Sequence, residues 1–405
     1  MQGVAYNERE TEKSAISKKA LTAVRRVLFL VSAPMVFISF ALPLRAEDLG
    51  ASAFEIGALF SLFTAAVFVV RPLTGVGLDI FGRRPFFLLA VLFYFAANIF
   101  YAVSETVSAL YIARLLQGLG FAILAITTDT ITADITLAEN RSAAMGGNIA
   151  SKSRGGMAGA FVGFGLVGAM PVYAWVMSFW VFAAVAGLAI IYALNAIPET
   201  QPQEKANKSL EKFSLPENYV RILTIIFAAA FAGALIQPFY MIYLRARFDL
   251  ELYWLATAFL PMGIAYAILP PWLGRVSGRL HRASAVVIGL VIAAVFYVSV
   301  PFVNEFALVI GAFVAASVGA VLVDLTKNAW VADLSNAGAM GRTFGLASFA
   351  AGAGAALGPL VGGVIYDASG PNYLFYFASA ILFAAAVLAV ALRPRHGWPF
   401  NPSDC

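Results

Sequence analysis

An all-α polytopic membrane protein, with twelve transmembrane helices arranged as two pseudo-symmetric six-helix bundles, is the fold class that this 405-residue sequence predicts. Three observations carry the prediction. The first is composition: 61% of the residues are hydrophobic, 12% are charged, and the mean hydropathy is +0.83. A soluble domain carries about 25% charged residues, and in water this chain would expose far more apolar surface than solubility tolerates. The second is run length. The apolar residues gather in long stretches, and roughly 20 helical residues at about 1.5 Å each cross a hydrocarbon core of about 30 Å. None shows the two-residue alternation of a barrel strand. The third is repetition, because the second half restates the glycines, prolines and charges of the first.

Residues 1–21 are polar, without the apolar core or cleavage site of a signal peptide, and read as a cytoplasmic N-terminal tail. Segments 22–44, 54–79, 85–104, 106–133, 143–168 and 171–196 then build a first bundle over 22–197. The second of these runs into TGVGLDIFGRRP (74–85), where Gly75, Gly77 and Gly82 are expected to permit a tight reversal. The fourth carries Arg114, Gln117 and Asp129; the fifth is glycine-rich and carries Lys152 and Arg154. Residues 198–218, PETQPQEKANKSLEKFSLPEN, form the longest polar interval after the tail and read as a flexible or partly helical cytoplasmic linker.

Segments 219–245, 252–274, 283–301, 303–332, 340–366 and 371–392 build the second bundle over 219–392, followed by a cytoplasmic tail, 393–405. The first of them brings Gln237, Tyr240 and Tyr243. The second ends in LGRVSGRLHRAS (273–284), a degraded copy of the 74–85 stretch. The fourth carries Asp324, Lys327 and Asn328, and the fifth repeats the glycine spacing of its counterpart.

Orientation follows from the basic residues. A cytoplasmic N-terminus places nineteen of them inside: Arg9, Lys13, Lys18, Lys19, Arg25 and Arg26 in and after the tail, then Arg83, Arg84, Arg141, Lys205, Lys208, Lys212, Arg221, Arg275, Arg279, Arg282, Arg342, Arg393 and Arg395. Only Arg45, Arg245 and Arg247 fall outside. This bias predicts both termini in the cytoplasm of a cell-membrane protein, and it accounts for the net charge of +5 without nucleic acid. The single Cys405 excludes an intramolecular disulfide.

The repeat has one interval. Gly75 and Gly274 are 199 residues apart, as are Pro72 and Pro271, Arg83 and Arg282, Gly120 and Gly319, and Asp134 and Asp333. Gly155, Gly159 and Gly163 pair with Gly354, Gly358 and Gly362 at the same interval. With six helices per half the copies enter the membrane in the same direction, so they are parallel repeats. Glycines spaced by four share one helix face, which permits close packing and could slide or bend during a conformational change.

These features resemble the major facilitator superfamily over essentially the whole chain. The most specific resemblance is the loop G-x-L-a-D-r-x-G-r-k, present as Gly75, Leu78, Asp79, Gly82, Arg83 and Arg84, with Gly77 and Ile80 departing from it. R-x-x-Q-G is matched by Arg114, Gln117 and Gly118. G-x-x-x-G-P-x-x-G-G is intact only on the eleventh helix, as Gly354, Gly358, Pro359, Gly362 and Gly363. On the fifth, where the family's proton antiporters carry it, Ala160 and Phe164 replace the proline and last glycine. The resemblance implies helices 1, 4, 7 and 10 around a central cavity. It thereby gathers Asp129 with Asp324, Lys327 and Asn328, and it gives Arg114 a structural or proton-coupling role.

Charges inside membrane spans cost about 2.5–3.5 kcal/mol each at the bilayer centre, so they face protein or water and mark candidate sites. Asp324, Asp129 and Arg114 are the proton-coupling candidates, with Asp324 first. Lys327, Asn328, Gln237, Tyr240, Tyr243, Lys152 and Arg154 are candidates for the substrate cavity. Gly75, Asp79, Gly82, Arg83, Arg84 and Asp134 are expected to form a cytoplasmic gate, with Asp134 as partner of Arg83. The degraded copy, with Gly278 and His281 in place of Asp79 and Gly82, would make the weaker gate.

The function expected is secondary active transport of a small molecule by alternating access, proton-coupled, in a chain that works as a monomer in the lipid bilayer. Efflux of drugs or small amphipathic compounds is the first substrate reading. Transport of a small organic anion is the alternative, which the excess of cations over carboxylates within the spans favours. No phosphate-binding G-x-x-x-x-G-K-[ST] occurs. No cofactor, metal or catalytic residue is expected, and His281 and His396 are assigned no catalytic role. A membrane enzyme or a receptor on the same fold is the remaining class, distinguished by product formation or by absence of flux.

Overall fold

The computed structural model describes residues 18–201, 219–250, 252–333 and 340–392. Arg9, Lys13, Lys205, Lys208, Lys212, Arg393, Arg395 and His396 lie outside them. The described residues form helices and no strand. In the first half these are α1 (Lys18–Asp48), α2 (Ala53–Phe81), α3 (Arg83–Ala102), α4 (Val107–Ile135), α5 (Ala138–Ala169) and α6 (Ala174–Ala196). In the second they are α7 (Tyr219–Phe248), α8 (Leu252–Thr257 and Phe259–Arg279), α9 (Arg282–Phe302), α10 (Phe306–Asp333), α11 (Met340–Ser369) and α12 (Pro371–Val390).

Ten of the twelve are long and apolar enough to cross a membrane unaided. The exceptions are the polar ones. α5 carries Glu139, Arg141, Lys152 and Arg154 among many glycines, and α8 is interrupted at Ala258 and contains three prolines and two arginines. Helix ends also reach beyond the apolar runs. α1 starts at Lys18, inside the stretch read as tail, and α5 starts at Ala138, because Ala, Glu, Lys and Arg propagate a helix well after hydrophobicity has ended.

The chain divides into two compact units, one holding α1–α6 and the other nearly all of α7–α12. Within the first, α1 packs on α5 and α6, α3 on α4 and α6, and α2 on α4. Within the second, α7 packs on α11 and α12, α9 on α10 and α12, and α8 on α10. The repeat in sequence is thus a repeat of packing.

The glycines explain the closest of these contacts. A Cβ on Gly155 or Gly159 would collide with the backbone oxygens of Phe29 and Ala33 on α1. A Cβ on Gly354, Gly358 or Gly362 would come within 2.5–2.6 Å of the oxygens of Phe227, Phe231 and Leu235 on α7. Each unit also has an arginine tie at its other contacts. Arg45 donates to the Ser104 carbonyl (2.8 Å), joining α1 to the α3–α4 turn. Arg247 donates to the carbonyls of Pro301 (3.1 Å) and Val303 (2.6 Å), joining α7 to the α9–α10 turn.

Candidate functional site

The α2–α3 corner differs from the reversal expected of its three glycines. TGVGLDI is helical, so Gly75 and Gly77 lie inside α2. Gly75 has open space beside it, and Gly77 makes room for the Phe86 ring. Only Gly82, with φ +89°, turns the chain; a side chain there would be strained and would meet the Glu199 carboxylate at 2.5 Å.

Beyond the turn, Arg83 is almost fully buried. Its Nε donates to Asp134 Oδ2 at the end of α4 (3.0 Å), and its Nη1 donates to the Leu78 carbonyl (2.9 Å). Asp79, four residues back and largely exposed, lies 3.8 Å away. Arg84 turns to the other side and donates to the Leu194 carbonyl of α6 (2.6 Å).

The organising group of this corner is Glu199, which sequence reasoning missed. Its carboxylate accepts the backbone N–H groups of Arg83 (2.9 Å) and Arg84 (3.1 Å), which open α3 and have no partner within the helix. It also accepts those of Thr200 (2.9 Å) and Gln201 (3.0 Å). Burial pushes the carboxyl up, but the four N–H donors outweigh it and hold its pKa below the usual glutamate value. The two following residues continue the seal: Thr200 Oγ1 donates to Asp134 Oδ2 (3.1 Å) and Gln201 Nε2 to the Asp79 carbonyl (2.9 Å). The only hint in sequence was an acidic residue just past α6, in a chain whose basic residues cluster on that side.

The second unit keeps a reduced version. Arg282 Nε donates to Asp333 Oδ2 (2.8 Å), but these side chains are 31% and 52% exposed, against 7% and 15% for Arg83 and Asp134.

Arg114 is buried on α4 between the rings of Phe60 (4.7 Å) and Phe63 (4.4 Å). Its Nη1 donates to Gln117 Oε1 (2.7 Å), which also accepts from the Tyr101 hydroxyl (2.9 Å). Gln117 Nε2 reaches Met35 Sδ of α1 (3.4 Å). Its partners are therefore an amide and two π faces, which a delocalised guanidinium suits.

Asp129 stands one and a half helical turns before the end of α4 and forms no ion pair among the described residues. Lys152 of α5 and Arg71 of α2 are the charges within its electrostatic reach. Lys152, half-buried, lines an open cavity of about 230 Å³ bounded by α1, α3, α4 and α5, together with Met35, Tyr94, Phe121 and Ser153. α1 departs from α-helical bonding there: Ala33 N–H bonds to the Leu30 carbonyl and Met35 N–H to that of Ser32, on either side of Pro34. Arg154, two residues on from Lys152, is exposed.

In the second unit Lys327 Nζ pairs with Asp324 Oδ1 at 2.5 Å, while Asn328 is exposed beside them. Tyr240 and Tyr243 are buried among their own helices. The Tyr240 ring lies 3.9 Å from that of Phe313 and the Tyr243 ring 4.8 Å from that of Phe375. Tyr243 also accepts from Arg247. Gln237 is exposed at the break between the two halves of α7. Among the described residues, no group of three or more His, Cys, Asp or Glu is placed to hold a metal ion.

Known proteins share this sequence pattern and fold over nearly the whole chain. Residues 27–303 and 222–403 match the family model of the Major Facilitator Superfamily. Multidrug resistance protein 1 of Bacillus subtilis (strain 168) is 25% identical over 93% of this chain and 97% of its own. A bacterial homolog of the human lysosomal transporter Spinster, solved inward-facing and unoccupied, superposes with a TM-score of 0.76 at 15% identity over 93% of this chain and 96% of that one. The human organic anion transporter MFSD10 superposes with a TM-score of 0.66 at 20% identity, over 92% and 99%. The chain is a multi-pass membrane protein and belongs to the Major Facilitator Superfamily.

Proposed function

We propose that this chain is a secondary active transporter that exports small amphipathic compounds across the cell membrane by alternating access, coupled to protons, with both termini in the cytoplasm. The observation that carries the reading is Asp129: a carboxylate within a membrane-spanning helix, without an ion pair, next to a lysine that lines a cavity. An ionisable group in such a place is a functional site by default. The whole-length similarity to a multidrug resistance protein supports export of amphipathic compounds.

We place Asp129 ahead of Asp324 among the coupling candidates. Asp324 already has its counter-ion in Lys327, so its charge is balanced in place. Asp129 lacks such a pair and becomes the first candidate. In proteoliposomes carrying an internal pH dye and offered the amphipathic anion 1-anilinonaphthalene-8-sulfonate as test compound, an imposed pH gradient should drive its movement in the unaltered protein. Asp129→Asn should reduce gradient-driven flux at least tenfold while leaving exchange of the same compound within about twofold. Asp324→Asn should cost less. Unchanged pH-driven flux in Asp129→Asn would remove Asp129 from the coupling path.

A further inference from the structure

We infer that the cavity of the first unit receives the anionic head of an organic substrate with an apolar or aromatic body, and that Lys152 is its anchor. The inference rests on the transporter reading above and names the charge of what is carried. Among the side chains lining the cavity Lys152 is the one that bears a charge; Ser32 and Ser153 add hydroxyls, and Met35, Tyr94 and Phe121 supply apolar and aromatic wall. Its ammonium makes no hydrogen bond or ion pair with any described residue. Asp129 attracts it and Arg71 repels it, so this group of three keeps an excess positive charge.

The second unit shows that the excess is local. The repeat interval places Ala351 opposite Lys152 and Pro270 opposite Arg71, and the α10 charges satisfy one another as Asp324 and Lys327. A cationic substrate entering the first cavity would meet the like charge of Lys152, whereas an anion supplies the partner that Lys152 lacks. The irregular backbone of α1 at Ser32 and Ala33 lies on the same cavity wall, and irregular backbone at membrane depth is tolerated where it lines a cavity. Volume sets the scale. At about 230 Å³ the cavity is smaller than the roughly 300–1,000 Å³ that encloses a drug-sized ligand, so it takes the head and one adjoining ring.

Three probes of one shape and different charge test this: 2-naphthoate, 2-naphthalenemethanol and 2-naphthylmethylammonium, titrated calorimetrically into the purified full-length chain in detergent. Naphthoate should bind at least tenfold tighter than either analogue. Lys152→Met should lower naphthoate affinity at least tenfold, to the level of the alcohol, without changing binding of the alcohol; Lys152→Arg should retain the preference. Equal or tighter binding of the ammonium probe, or unchanged naphthoate affinity in Lys152→Met, overturns the assignment. Should Lys152→Met fail to fold, the unaltered protein answers: naphthoate, and not the alcohol, should slow acetylation of Lys152 by acetic anhydride, read by mass spectrometry. Equal acetylation rates with both overturn it. Because binding is read without flux, the anchor stands or falls separately from transport. Flux in proteoliposomes with no charge preference sinks the anchor alone, and naphthoate binding without flux sinks only the transporter reading.

Discussion

A single carboxylate, Glu199, holds the α2–α3 corner by filling the place of an N-terminal cap for α3. Gly82, which occupies the N-cap position, has no side chain to offer, and the bare backbone lets Glu199 approach both opening N–H groups. The depressed pKa gives the interaction a sign. Stability from Glu199 is fully present above the ordinary glutamate value of 4.5 and is lost as pH falls through the lower folded value. Glu199→Gln should therefore lower the thermal midpoint at pH 7, and the gap from the unaltered protein should close as the medium is acidified below about pH 4. Parallel melting curves of the two proteins across that range would count against the cap. Sequence patterning could not reveal this residue, because a lone acid outside a helix has no period. Arg83 with Asp134, by contrast, was legible from the repeat, which carries both residues to Arg282 and Asp333.

At the scale of helices, the α1–α5 and α7–α11 contacts depend on absent side chains. Gly159 sits against the Ala33 carbonyl, backbone to backbone, where no rotamer change can relieve a clash. Gly159→Ala should destabilise the purified protein by about 1–3 kcal/mol, the usual cost of overpacking. Gly165→Ala, on the same helix with open space at its Cβ, should not lower the melting temperature. Equal melting temperatures for both variants would show that the α1–α5 contact relaxes easily. Run length and repeat made nearly every helix readable, and composition made the membrane readable. The α1 irregularity around Pro34, the break at Gln237 and the placing of Lys152 within electrostatic reach of Asp129 were not. They depend on helix rotation and neighbour choice, which follow from packing and leave no mark in a hydropathy pattern. The glycines of TGVGLDI misled for a related reason: flanking residues propagate α2 through them, and only the positive φ of Gly82 ends it.

For the molecule as a whole, the two units share packing but not charge, and the difference bears on how a gate would work. Removing one partner of a buried ion pair costs about 3–5 kcal/mol, whereas exposed pairs contribute about 0–1 kcal/mol. Arg83–Asp134 belongs to the first kind, Arg282–Asp333 lies nearer the second, and Asp79 touches Arg83 only at 3.8 Å from a largely exposed position. If this corner acts as a latch during transport, the latch is asymmetric and Asp134 is its main carboxylate. Spin labels at Ile80→Cys and Arg279→Cys in a Cys405→Ser background would report the distance between these two helix ends. Asp134→Asn should shift the distance distribution furthest toward longer separations, Asp79→Asn less, and Asp333→Asn least. A larger shift from Asp333→Asn than from Asp134→Asn would place the controlling pair in the second unit, and identical distributions in all three variants would mean that these charges hold the corner together without governing its opening.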